Sequence, residues 1–140
     1  MREGTWEHFE HDADIGLRAC AGSREELFEL MGEALTALVT DPASVRPVDT
    51  VAVSCKAPDD AMLLVDWLNA LVYEMATRRM LFSDWRVGLD NHELVATIVG
   101  ETVDRDRHQP VVEVKGATYT ALSVTQESDG TWRGQCVVDV

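Results

Sequence analysis

The sequence predicts an α+β domain in which two helices pack on a mostly antiparallel sheet. Three observations carry this expectation. Two segments place apolar residues at helical spacing. Several others alternate apolar and polar residues at strand spacing. Finally, the order along the chain is two strand–helix–strand modules followed by hairpins.

The elements follow in order. Over residues 6–21, Ile15, Leu17 and Ala19 fall on one side of a strand and Gly16, Arg18 and Cys20 on the other. Ser23 and Glu26 then stand at capping-box spacing, and Leu27, Leu30, Met31, Ala34, Leu35 and Leu38 recur along one helical face. Pro42 ends that helix by restricting Asp41 to extended geometry. "DTVAVSCK" alternates Val51, Val53 and Cys55 as a strand between Pro47 and Pro58. "PDDAMLLVDWLNALVYEMATRR" begins on aspartate caps and stripes Leu64, Trp67, Leu68, Leu71, Val72 and Met75 down one face. It closes on Arg78 and Arg79, cations that suit a helix C-terminus. From residue 80 the pattern is strands: "MLFSDWRVGL", a turn at Asp90-Asn91, and "ELVATIVGE". After the polar loop "TVDRDRHQP" come "VVEVKG", "TYTALSVTQ", the turn "ESDG" and "TWRGQCVVDV". The last of these puts Trp132, Cys136 and Val138 on one face and Arg133, Gln135, Val137 and Asp139 on the other.

Length and composition bound the function. A chain of 140 residues suits one domain, expected to span 1–140. No apolar run approaches the roughly 20 residues of a membrane span, and the acidic first residues lack the apolar core of a secretory signal, so a cytoplasmic protein is expected. Cys20, Cys55 and Cys136 lie far apart in no CxxC pairing, which predicts neither a disulfide framework nor a thiolate zinc site and reads as small strand hydrophobes in a reducing compartment. A net charge of −13 repels a phosphate backbone, so stable direct nucleic-acid binding is not expected. The same charge favours cations or a basic cleft on another protein.

No GxGxxG, Walker A, GxSxG or HExxH motif occurs, and the four histidines have no paired helical spacing. Carboxylate chemistry is what remains. In "HDADIG", Asp12 and Asp14 are two apart, so on a strand they share a face while His11 and Ala13 take the other. Two carboxylates alone hold a hard cation weakly, since calcium takes about six to eight oxygens. Asp139 and the main-chain and terminal oxygens of Val140 supply more. If the last strand lies beside "DADIG", the oxygens of Asp14, Asp139 and Val140 converge on one ion. If it does not, they are scattered solvated carboxylates.

The segments "HDADIGLRACAGSREELFELMGEAL", "DDAMLLVDWLNALVYE", "VEVKGATYTAL" and the ending "VVDV", in that order, resemble the archease family over essentially the whole chain. The resemblance implies an α+β fold. It also implies a protein cofactor, not an enzyme, for the RNA ligase of tRNA splicing and RNA repair, one that promotes the ligase's guanylylation and repeated turnover. The family's metal ligands fall on Asp14 and on Asp139 with Val140, and its metal is a divalent cation commonly taken as calcium. Asp12 stands where the family has threonine and adds a further candidate oxygen. The family's "TYH" is Thr118-Tyr119-Thr120 here, which removes a histidine and leaves the role of position 120 open. Asp41 matches a family aspartate, although a turn before Pro42 accounts for it better than ligation does. His11 fits hydrogen bonding at the strand entrance better than metal ligation. Glu113 and Lys115 match the family's "EVK" and read as a surface ion pair. Asn69 reads as a helix-surface or loop-bracing polar group.

Two rival readings come from other classes. A stand-alone metal-dependent hydrolase needs a base beside the acids, and none is evident. A small-molecule binding module predicts an apolar pocket between helices and sheet.

Overall fold

The computed structural model describes residues 3–140. Strands β1 (Thr5–His11) and β2 (Asp14–Ala21) form a hairpin, followed by α1 (Arg24–Val39) and a 3-10 turn at Pro42–Ser44. Next come β3 (Asp49–Lys56), α2 (Asp60–Arg78), β4 (Met80–Asp90) and β5 (Glu93–Thr102). The chain closes with a short α3 (Arg105–His108), β6 (Gly116–Ala117), β7 (Ser123–Gln126) and β8 (Trp132–Asp139). The architecture is the expected α+β arrangement of helices on antiparallel strands.

The sheet is divided in two. One sheet runs β1-β2-β8-β6 with β7 also on β8, and the other runs β3-β5-β4. Helix α1 touches both, which explains why Leu27, Phe28, Leu30, Met31, Ala34, Leu35 and Leu38 are all buried around it. Two glycines permit this close packing. A Cβ at Gly32 would meet the Trp85 ring of β4 at 2.9 Å, and one at Gly134 of β8 would meet Leu27 at 3.1 Å.

Local chemistry sets the helix ends. Ser23 Oγ accepts the Glu26 amide at 3.1 Å, and Glu26 reaches back to the Gly22 amide at 3.0 Å, one residue earlier than a standard capping box. Asp59 caps α2 by accepting the Met62 amide at 2.8 Å. Arg79 ends α2 in the left-handed region at φ 54°. Inside, Trp67 and Trp85 are fully buried, and the Trp67 indole donates to the Phe28 carbonyl at 2.8 Å, tying α2 to α1.

Several expectations need correction. The β4–β5 turn is Asn91-His92, not Asp90-Asn91, and "TVDRDRHQP" is no simple polar loop, since α3 forms within it. "VVEVKG" is no strand: only Gly116 pairs, while the Val111 amide donates to the Val39 carbonyl at 2.9 Å and Val114 is buried. "TYTALSVTQ" is a strand only from Ser123, because Ala121 is left-handed at φ 53°. In both, bonds to other elements replace the ladder that the valine and threonine spacing suggested. Glu113 and Lys115 are exposed, and neither makes an ion pair among the described residues.

Candidate metal centre

Residues Asp12 and Ala13 form the two-residue turn between β1 and β2, and His11 pairs with Asp14 across it. Asp12 is left-handed at φ 54° with its side chain 95% exposed, so it does not share a strand face with Asp14 as alternation implied. An aspartate tolerates this conformation because its short polar side chain hydrogen-bonds locally.

The register of the neighbouring strands builds the site. β2 pairs β8 antiparallel with Ile15 opposite Val138 and Leu17 opposite Cys136, so one step further Asp14 lies opposite Asp139. β8 in turn places Asp139 opposite Gly116 of β6. His11, Asp14 and Asp139 therefore form one row across three strands, and directly opposed residues present their side chains to the same face. That face is the outer one, because Leu17, Ala19, Cys136 and Val138 bury the inner one. Asp14 is half-buried and Asp139 exposed, and the Asp139 carbonyl is held by the Lys115 amide at 2.8 Å. Val140 packs against the core.

The rows behind the tip are closely packed. Phe9 lies over Gly16, where an added Cβ would sit 2.1 Å from the ring, and the Arg18 guanidinium stacks 4.2 Å above the Phe9 ring centre. Arg18 also pairs with Glu7 at 2.9 Å. A trimmed side chain at position 16 is what lets the ring cross the strand just behind the carboxylate row.

Chemically, the row offers two carboxylates with main-chain oxygens beside them, a hard donor set that fits an oxygen-seeking divalent cation and not a thiolate-seeking one. Among the described residues no three His, Cys, Asp or Glu side chains converge as a ready-made metal cage. A cation here needs the Val140 oxygens and water besides the aspartate pair. Asp41 is engaged elsewhere: its carboxylate accepts the Ala43 amide at 3.0 Å and caps the 3-10 turn, the turn role its sequence context favoured. His11 Nδ1 stands 3.9 Å from the Asp12 carboxylate. Thr120 accepts the Val137 amide at 3.3 Å, so position 120 lies beside the strand that carries Asp139. Asn69 accepts the Ala117 amide at 2.8 Å and thereby braces β6, the loop-bracing role anticipated for it.

Sequence reasoning missed a buried polar cluster at the same end of the helices. Glu101 accepts both Arg107 terminal nitrogens at 2.7 Å, the Arg46 amide at 2.6 Å and His108 Nε2 at 3.0 Å. Because His108 Nδ1 accepts the Asp104 amide at 2.8 Å, its Nε2 carries the proton it donates to Glu101. The paired Arg107 guanidinium, with the Arg46 amide and His108 adding to it, holds the Glu101 carboxyl well below the usual carboxylate range. The signal was Asp104 three residues ahead of Arg107 and Gln109-Pro110 after it, a cap and a stop around one helical turn.

The cysteines are free, as expected. Burial pushes the Cys136 thiol up to about 11, and burial together with the Asp66 charge does the same for Cys55. Neither is an activated nucleophile.

The molecule is an α+β domain in which an early strand, β2, runs beside the last one, β8, with Asp14 and Asp139 at the same end of the pair. Comparison with known proteins names the family. The model of the Archease protein family (MTH1598/TM1083) matches residues 6–140. The chain is 34% identical to protein archease of Thermococcus gammatolerans, over 96% of this chain and 98% of that one. It is 35% identical to protein archease of Methanopyrus kandleri, over 96% and 99%. The solution structure of Methanobacterium thermoautotrophicum protein 1598 superposes with a TM-score of 0.83 at 28% identity, covering 96% of this chain and 98% of that one. The chain belongs to the archease family.

Proposed function

We propose that this protein is an accessory factor, not itself an enzyme, for an RNA-joining ligase of tRNA splicing or RNA repair. It promotes the ligase's guanylylation and allows repeated turnover, acting through a divalent cation held at the tip by Asp14, Asp139 and the main-chain oxygens of Val140. The family resemblance points to calcium, and an oxygen-only donor set is compatible with it. Family membership supports the role. The observation that supports the site is the β2–β8 register, Ile15 opposite Val138, whose continuation by one residue brings Asp14 beside Asp139.

The tip's position suits insertion. An aspartate pair backed by the closely packed Phe9–Gly16–Arg18 stack is presented at one edge of a protein of charge −13. Such a body is drawn towards a basic, phosphate-handling cleft and delivers the cation to it. The test is a turnover assay with purified ligase, excess broken RNA, GTP and metal, with and without this chain. Several joined products per ligase are expected only when the chain is present, and D14N or D139N abolishes the gain. Equal product counts with and without the chain contradict the reading.

A further inference from the structure

The core stripe of α2 is not covered along its whole length. Leu64, Trp67, Leu68 and Leu71 are buried, but Val72 and Met75, which continue the stripe, are only half-buried. They open into a groove of about 920 Å³ bounded by Val39 at the end of α1, Met80 at the start of β4, and Val112 and Val114 of the irregular segment after α3. Val112 and its neighbour Val111 are exposed, Val111 at 76%. The groove has mixed walls, aliphatic side chains beside Arg79, Thr102, Arg105 and Glu113, and an open mouth.

Its charges oppose those of the rest of the molecule. Arg18, Arg24, Lys56, Arg78, Arg86, Arg107 and Arg133 are each ion-paired. Arg46, Arg79, Arg105 and Lys115 make no ion pair among the described residues. Two of these, Arg79 and Arg105, line the groove, with Glu113 as the one acid in its wall. In a chain of charge −13, unneutralised guanidinium groups beside uncovered apolar side chains mark where an anionic, apolar partner is least repelled. The groove also adjoins the acidic row: Val114 lines it, and the amide of Lys115, the next residue, is bonded to Asp139.

We propose that this groove docks a short acidic segment of the ligase, with an aliphatic side chain entering between Val72, Met75 and Val112 and flanking carboxylates meeting Arg79 and Arg105. This rests on the ligase-accessory reading and deepens it. The acidic tip faces the partner's basic cleft while the adjoining groove takes an acidic segment beside it, and two patches of opposite sign fix one orientation where either alone leaves several.

The test uses the full chain and intact ligase, with binding and turnover titrated in parallel. R79E/R105E is expected to raise both the dissociation constant and the half-activating concentration at least tenfold, and V72A/M75A to weaken binding as well. R86E/R133E makes the same change in net charge away from the groove and is expected to stay within twofold. Thermal melting checks that each variant folds. If the wild type binds and stimulates the ligase but R79E/R105E binds equally well, or no more weakly than R86E/R133E, the groove assignment is overturned and the accessory reading stands. If the wild type neither binds nor stimulates, the accessory reading falls and takes the groove with it. Stabilisation by decanoate, an apolar carboxylate, alongside unchanged ligase binding in R79E/R105E identifies a small-molecule site and overturns the proposal.

Discussion

Asp14 and Asp139 are the next residues beyond the Ile15–Val138 pair, at the end of the β2–β8 ladder. Like charges at neighbouring positions of antiparallel strands repel at a small local cost, which a cation between them would relieve.

Neutralising one member of that pair removes the cost. D14N or D139N is expected to raise the metal-free stability by about 0.2–1 kcal/mol. Urea denaturation in chelator checks this. A stabilised metal-free variant that loses ligase stimulation separates a functional carboxylate from a structural one.

Behind the row, Gly16 has no room for a side chain because the Phe9 ring lies where its Cβ would be. G16A must displace that ring and the Arg18 guanidinium stacked on it, at a cost of about 1–3 kcal/mol. Urea denaturation is expected to show a loss of stability of that size, with F9A/G16A costing less than the sum of the two single changes because ring and glycine share one contact.

The Glu101 cluster sets an acid limit. Its carboxyl is held well below the usual range in the folded state by Arg107, the Arg46 amide and His108, against an unfolded value of about 4.3. A depressed folded-state pKa gives stability that is complete above the unfolded value and is lost as pH falls through it towards the folded one. E101Q is therefore expected to be less stable than the wild type at pH 7, with the difference shrinking steadily below about pH 4. Thermal melting of both proteins across pH 2.5–8 reads this directly.

Thiol chemistry is expected to be slow at two positions. With Cys55 and Cys136 raised to about 11, only about one thiol in a thousand is ionised at pH 8. Iodoacetamide in native buffer should label both far more slowly than in denaturant, which mass spectrometry resolves by peptide.

Much of this architecture is written in local pattern. Ser23 and Asp59 announce the two helices, the Leu64–Trp67–Leu68–Leu71 stripe announces the core, and alternation in β8 places Asp139 on the face away from it. The turn at Asp12-Ala13 is less visible, because neither residue demands a turn and an aspartate two before Asp14 fits strand alternation equally well. Residues 111–122 mislead for a different reason. Their valines and threonines favour a strand, but their amides are taken by Val39, Asp139 and Val137, partners that sequence spacing does not reveal. The burial of His108 within an arginine-rich stretch likewise depends on Glu101 arriving from another strand.

The account stands on a cation at the Asp14–Asp139 tip, and calcium titration by calorimetry tests that most directly. One site is expected in the wild type, with the melting temperature rising as calcium is added, and no heat of binding in D14N/D139N. Equal calcium binding by the wild type and D14N/D139N, or none by the wild type, would contradict it.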